Sequence, residues 1–394
     1  MLNIHLTTFC QFLERDMKFL IDENIPFADD FFADLGTIER FPGRELTPQQ
    51  LIDADVLLVR SITKVNQALL SAANKLKFVG TATIGEDHID KPYLATNGVE
   101  FSSAPGCNAN SVAEYVISSL FVLQERYNFN FAEKTIAIVG VGNIGKAVKS
   151  KLDALGIRYL LVDPIREANE YPEGNSPFVS LEQAIAEADI VTLHTPLTLD
   201  GQHPTMHLID ESKLSLLKPG AVLINACRGE VIDNHALLEH MQDENNETIL
   251  VMDVWEGEPN PLPELIPLCD IASAHIAGYS LEGKSRGTEM LYHKVCDLFG
   301  LDKTKSLADM LPEAEIATHA ISQAPDRVSE LKSLVHMVYD VRRDDQLFRE
   351  LLALKGFDWL RKNYPVRREW SSLQVEIEKK STKSLDLGKI GFAI

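Results

Sequence analysis

The segment Thr135-Ile-Ala-Ile-Val-Gly140-Val-Gly142-Asn143-Ile144-Gly145-Lys146 limits what this chain can fold into more than any other. An apolar, β-branched run leads into a GxGxxG motif, and a helical pattern follows it. Gly140 permits a tight turn, Gly142 lets the backbone approach a pyrophosphate, and Gly145 lets the helix pack closely on the strand. The free N–H groups and partial positive charge at the start of such a helix suit phosphate. Asp163 closes the next strand-like run, Tyr159–Asp163. A carboxylate there hydrogen-bonds ribose hydroxyls and repels a 2′-phosphate, so the expected cofactor is NAD rather than NADP.

Around this motif, short apolar runs alternate with longer helical patterns. Before it lie Phe19–Asp22, Val56–Arg60, Phe78–Ala82 and Val99–Ser103. Thr135–Val139, Tyr159–Asp163, Ile190–His194, Ala221–Ala226, Ile249–Val254 and Ile271–His275 form a second set. Strands apolar on both faces and separated by helices imply parallel sheets covered on both sides. A helix over Ser111–Arg126 is the expected crossover between the two sets. After Gly300 the chain is richer in charge, and the strand-like runs Leu334–Val341 and Ser372–Ile377 suggest a third, smaller α/β unit. The predicted fold is α/β, with two Rossmann-like doubly wound domains and a small C-terminal α/β domain.

At 394 residues and 45% hydrophobic content the chain has room for two or three cores, since one core rarely grows past about 250–300 residues. A net charge of −20 makes nucleic acid and anionic lipid poor partners. An anionic small substrate then needs a local basic pocket. Cys10, Cys107, Cys227, Cys269 and Cys296 contain no CxxC pair. No metal or disulfide framework is expected, and a reducing cytoplasm fits. No apolar run approaches the ~20 residues of a membrane span. Residues 1–16 do not read as a signal peptide. Met17 opens the first strand pattern, so residues 1–16 read as an upstream extension or a disordered tail.

Three later strand ends carry polar groups: Asn225-Ala226-Cys227-Arg228-Gly229, Asp253-Val-Trp-Glu-Gly-Glu258-Pro259 and His275-Ile-Ala-Gly278-Tyr279. Doubly wound folds bind ligands at the carboxyl ends of their strands. Oxidising a secondary alcohol needs a base for the hydroxyl proton, and histidine suits that task. A neighbouring carboxylate favours the imidazolium, and an arginine can hold a carboxylate and an adjacent oxygen together. His275 is therefore the candidate acid/base, Glu258 its partner and Arg228 the substrate clamp. Cys107 and Cys227 read as packing positions.

This order of motifs resembles the D-isomer-specific 2-hydroxyacid dehydrogenases, whose catalytic set is an arginine, a glutamate and a histidine. Val59–Lys64, Gly80–Thr83, Ala104–Ala109, Asp253–Pro259, His275–Gly287 and Arg368–Leu373 are most similar to the branch that acts on a small phosphorylated hydroxyacid. The resemblance implies a substrate-binding domain over 17–108 and 276–299, an NAD-binding domain over 109–275, and a dimerisation domain over 300–394. It implies substrate contacts at Ser61, Thr83 and Tyr279. It also implies NAD contacts at the Gly140–Gly145 loop, Asp163, Thr195, Ala226, Cys227, Arg228, Asp253 and Gly278. For a substrate phosphate, Arg60 and Lys64 flank Ser61, and Arg367 or Arg368 is a candidate to reach into a dimer partner. Two rival readings stand: another dehydrogenase of this mechanism, such as one acting on 3-phosphoglycerate, and an NAD-sensing, corepressor-like binding protein.

Overall fold

The computed structural model describes residues 17–394. The reading of residues 1–16 lies outside the described residues. The chain forms two compact units. One comprises the described residues through Cys107 together with Glu282–Pro312, and the other comprises Asn108–Leu281 with Glu313–Ile394.

In the first unit β1 (Met17–Asp22), β2 (Gly36–Phe41), β3 (Val56–Val59), β4 (Phe78–Thr81) and β5 (Glu100–Ser102) form a parallel sheet of order β2-β1-β3-β4-β5. Alternate residues of each strand feed opposite cores. Phe19, Ile21, Val56, Leu58 and Phe78 face one side, where Phe31, Phe32 and Tyr292 pack against them. Leu20, Leu57, Val59 and Val79 face the other. That two-sided burial is why the runs read as continuously apolar. β2 escaped the sequence reading because Glu39 and Arg40 interrupt its apolar pattern. Among the described residues it is an edge strand that pairs only with β1.

The second unit holds a six-stranded parallel sheet: β6 (Ile136–Val139), β7 (Tyr159–Val162), β8 (Ile190–Leu193), β9 (Val222–Asn225), β10 (Ile249–Met252) and β11 (Ile271–Ala272). Its order is β11-β10-β9-β8-β6-β7, and a single parallel bridge from Leu161 to Phe178 extends it beyond β7. With that bridge counted, the order is the doubly wound one in which direction reverses between the first strand and the fourth. The reversal falls between β6 and β8, beside the glycine motif.

The predicted crossover helix runs over Ala109–Tyr127 and is buried along most of its length. It packs on the sheet on one side and on the C-terminal stretch on the other. Leu331, Leu334, Tyr339, Trp370 and Phe392 share its core. The C-terminal stretch adds a two-stranded parallel sheet, β12 (Thr318–Gln323) and β13 (Gln374–Lys379). The run Leu334–Val341, read as strand-like, is mostly a helix, Lys332–Val338, that buries Leu334 and Val335. Short apolar runs of this kind do not distinguish the two states by periodicity. Among the described residues no helix is long and apolar enough to cross a membrane.

Candidate active site

At the switch point each glycine answers a geometric demand. Gly140 has φ +87°, and a Cβ on it would lie 2.7 Å from the carbonyl carbon of His194. A Cβ on Gly145 would lie 2.1 Å from the Gly140 carbonyl oxygen, so only glycine lets the Asn143–Leu155 helix start so close to β6. Nothing lies within 4 Å of a Cβ built on Gly142, which leaves its backbone open to a bound group. Asn143 and Ile144 form the first turn of that helix. These residues fit an NAD pyrophosphate, held by backbone N–H groups at a helix start.

Asp163 follows β7 directly, with both carboxylate oxygens engaged. Oδ2 accepts from the Val141 amide at 2.9 Å, and Oδ1 caps the Pro164–Glu170 helix through the Arg166 amide at 3.0 Å. It therefore braces the glycine loop. Replacing Asp163 with alanine is expected to weaken NAD binding by roughly tenfold or more, the worth of a lost charged hydrogen bond. It should also narrow the preference for NAD over NADP. Fluorescence titration with both nucleotides checks this, and an unchanged preference would remove Asp163 from the ribose.

The next strand ends build the chemistry. Asn225, fully buried at the end of β9, accepts from the Cys227 amide at 3.2 Å and donates to the Arg228 carbonyl at 2.9 Å. This turn presents Arg228, whose Nη1 donates to the Cys227 carbonyl at 2.7 Å. Ala226 is buried, and Thr195 Oγ1 lies 4.0 Å from Cys227 Sγ. Burial pushes the Cys227 thiol up, the opposite of what a nucleophile needs. A Cβ on Gly229 would meet the Trp255 carbonyl carbon at 1.9 Å, so the Arg228 loop lies directly against the chain leading to Glu258.

Asp253 is buried and supports the last loop. Its Oδ1 accepts from Ser273 Oγ at 2.6 Å and the Ile276 amide at 2.8 Å, and its Oδ2 accepts from the Ala277 amide at 2.9 Å. Held this way, His275 adopts φ +56°, a left-handed conformation that costs a non-glycine residue about 1–3 kcal/mol and tends to mark functional sites. His275 Nδ1 lies 2.8 Å from Glu258 Oε2, while Glu258 Oε1 accepts from the Trp255 amide at 3.0 Å. Burial acts to raise the Glu258 carboxyl. The charge and hydrogen bond of His275, with the charge of Arg361, outweigh it and hold the carboxyl below its ordinary range. A Cβ on Gly278 would collide with the Asn108 side chain, and Tyr279 stands edge-on to Tyr364 at 5.8 Å.

In the first unit Ser61 is exposed just past β3. The Thr83 hydroxyl is bonded to Thr81 Oγ1 at 2.8 Å and donates to the Gly85 carbonyl at 3.1 Å. Arg60 donates to the Asn24 carbonyl at 3.0 Å. Arg367 stands elsewhere than the sequence reading proposed. It is 1% exposed, donates to the Ala277 and Ser111 carbonyls at 2.9 and 2.6 Å, and lies 3.5 Å over the Tyr339 ring. It is a core cation of its own chain and cannot reach a partner.

The NAD-binding domain model of the D-isomer-specific 2-hydroxyacid dehydrogenases matches residues 114–277, and a domain of unknown function matches 310–391. The erythronate-4-phosphate dehydrogenase of Shewanella oneidensis is 50% identical over 378 residues, covering 96% of this chain and 99% of that protein. The enzyme of the same name from Pseudoalteromonas translucida is 51% identical over 382 residues, covering 96% of this chain and all of that one. The chain belongs to the erythronate-4-phosphate dehydrogenase family. As a member of it, the protein is an NAD-dependent oxidoreductase. Among solved structures, D-lactate dehydrogenase from Aquifex aeolicus, complexed with NAD and lactic acid, is 25% identical with a TM-score of 0.59, covering 72% of this chain and 96% of that one. The NAD+-bound 3-phosphoglycerate dehydrogenase of Entamoeba histolytica, at 22% identity and a TM-score of 0.61, covers 73% and 96% and shares the fold.

Three features of this family member had no sequence signal. Lys284 lies near Arg60, and burial with the Arg60 charge pushes its ammonium down to about 8. Arg361 faces Tyr279 from the C-terminal stretch. His207, at φ +50°, sits 2.8 Å from Glu256 and 3.5 Å from Asp233, tying the chain after Arg228 to the chain before Glu258. Each depends on residues far apart in the chain.

Proposed function

We propose that this chain oxidises 4-phospho-D-erythronate at C2 to 3-hydroxy-2-oxo-4-phosphobutanoate, a step toward pyridoxine 5′-phosphate. The observation that carries the reading is the 2.8 Å pairing of His275 Nδ1 with Glu258 Oε2, past the ends of β11 and β10 in the sheet that also carries the glycine loop. With Nδ1 committed to Glu258, Nε2 of His275 takes the C2 hydroxyl proton. Glu258 stabilises the imidazolium that results. Arg228 holds the substrate carboxylate and the C2 oxygen, fixing the hydroxyl for proton loss. When bound, NAD would supply the acceptor for the hydride that leaves C2. The Gly140–Gly145 loop, Asp163, Thr195, Ala226, Cys227, Arg228 and Gly278 hold the cofactor. Asp253 supports that surface through its carboxylate and the loop it braces.

Ser61, Thr83 and Tyr279 contact the substrate in this reading. Arg60 and Lys284 of the first unit are the cations best suited to a phosphate, in a protein whose net charge is −20. A homodimer forms through the C-terminal stretch. Support comes from β12, whose outer edge is unpaired among the described residues, and from Leu354 and Val366, which are 75% and 71% exposed. The four cysteines of the described residues are buried free thiols, which supports a reducing cytoplasm.

The test is initial-rate NADH production by purified protein with 4-phosphoerythronate, erythronate and 3-phosphoglycerate. The reading expects 4-phosphoerythronate to exceed both others in kcat/KM by roughly 10²-fold or more, since a site built for a charged group rejects substrates that leave it unpaired. A preference for 3-phosphoglycerate would support the rival dehydrogenase. Nucleotide binding with no turnover of any of the three would support the binding protein.

A further inference from the structure

The Phe357–Lys362 helix of the C-terminal stretch carries Arg361, and its guanidinium carbon lies 5.5 Å from the Tyr279 ring centroid and 6.0 Å from that of Phe357. Its Nε is buried with no hydrogen-bond partner among the described residues. A buried donor left unpaired costs about 1–3 kcal/mol, so its retention calls for an explanation. Burial acts against the Arg361 charge, yet the Tyr279 phenol and the Glu258 carboxylate more than sustain it. Arg361 in turn acts to lower the Glu258 carboxyl.

We propose that Arg361 is a positioning residue of the Glu258–His275 pair. Lying over the Tyr279 and Phe357 rings, it adds one fixed positive charge to the field at the carboxylate that orients the acid/base, and it holds the Tyr279 ring. The C-terminal stretch thereby acts on the chemistry within its own chain. This inference rests on the proposed reading of His275 as the acid/base.

The charged groups around the pair are few. Glu258 is faced by His275, Arg361 and the Trp255 amide, and Arg361 by Tyr279, Glu258 and Asp358. Removing Arg361 takes a cation from a pair whose active form, carboxylate with neutral imidazole, carries one negative charge. Losing its last proton then becomes harder, and the acidic limb of the oxidation rate moves to higher pH. Glu258→Gln has the opposite sign, because the imidazolium loses its counter-charge and the limb moves to lower pH. A residue that merely supported packing would not produce this opposition.

The test follows His275 directly by NMR of histidine-labelled enzyme, with His275→Ala identifying its signal, alongside pH–rate profiles with 4-phosphoerythronate. Arg361→Gln is expected to move both the imidazole titration and the acidic limb to higher pH. It should lower kcat/KM below the plateau by roughly tenfold, a typical effect of one lost counter-charge, and leave NAD affinity unchanged. Arg361→Lys should return both toward wild type. If Arg361→Gln does not fold, Arg361→Met keeps the apolar stem on Tyr279 and Phe357 and makes the same measurement. An unmoved His275 titration in either variant, or a lysine variant no better than glutamine, overturns the proposal. Full activity in His275→Ala would instead overturn the catalytic reading beneath it.

Discussion

His275→Ala is expected to lower kcat by a factor of roughly 10²–10⁴, the usual contribution of a positioned acid/base. The structure invests heavily in this one side chain. Its backbone takes a left-handed conformation, and its amide donates to the Asp253 carbonyl at 2.6 Å. Asp253 also takes the two amides that follow, at 2.8 and 2.9 Å. Ser273, which donates to Asp253, is tied in turn to Tyr115 at 2.9 Å and gives its carbonyl to Trp255 Nε1 at 2.8 Å. Such bracing yields one orientation of the imidazole, with Nδ1 on Glu258. The alanine variant should retain NAD affinity and its unfolding midpoint, because the Asp253 network holds the loop through backbone amides. Steady-state kinetics, a nucleotide titration and a thermal melt check these expectations, and a variant within threefold of wild-type kcat would refute the assignment.

Arg367→Met is expected to cost about 3–5 kcal/mol of folding stability, the usual price of breaking a buried charge network from one side. The guanidinium lies over Tyr339 and donates to two backbone carbonyls that lose their partner. Its charge also offsets two buried acids. Burial pushes the Glu114 carboxyl up to about 8 and raises that of Asp344, while Arg367 acts downward on both. With the arginine gone, each acid is left with less compensation. A thermal melt should show the midpoint falling by on the order of 10 °C. Unchanged stability with a raised KM for the phosphorylated substrate would restore Arg367 to a substrate role.

That residue marks the limit of what a chain of letters discloses. Arginine is mostly exposed in proteins, so Arg367 read as a surface group. Its burial depends on Ser111, Ala277 and Tyr339, all distant in sequence. The glycine loop was legible for the opposite reason. Gly140 and Gly145 answer backbone contacts made within a few residues or at the neighbouring strand end, and other residues would collide there. His275, Glu258 and Arg228 were legible as residue types at strand ends, helped by the family likeness. Arg361 carried no such mark, because nothing local connects residue 361 with residue 258. Strands β2 and β12 were missed because polar residues fall on both of their faces, Glu39 and Arg40 in β2 and His319 and Ser322 in β12, so no period-two pattern shows. The Lys332–Val338 helix was misread because a half-buried apolar turn and a strand share the same composition.

In the proposed reaction C2 of 4-phosphoerythronate loses hydride to NAD while His275 takes the hydroxyl proton. The most direct measurement uses 4-phospho-D-erythronate deuterated at C2, with mass analysis of the nicotinamide produced. One deuterium is expected in each reduced nicotinamide formed, and the same labelled product, formed far more slowly, from His275→Ala. Reduced nicotinamide without deuterium, or consumption of the substrate without any reduction of NAD, would contradict it.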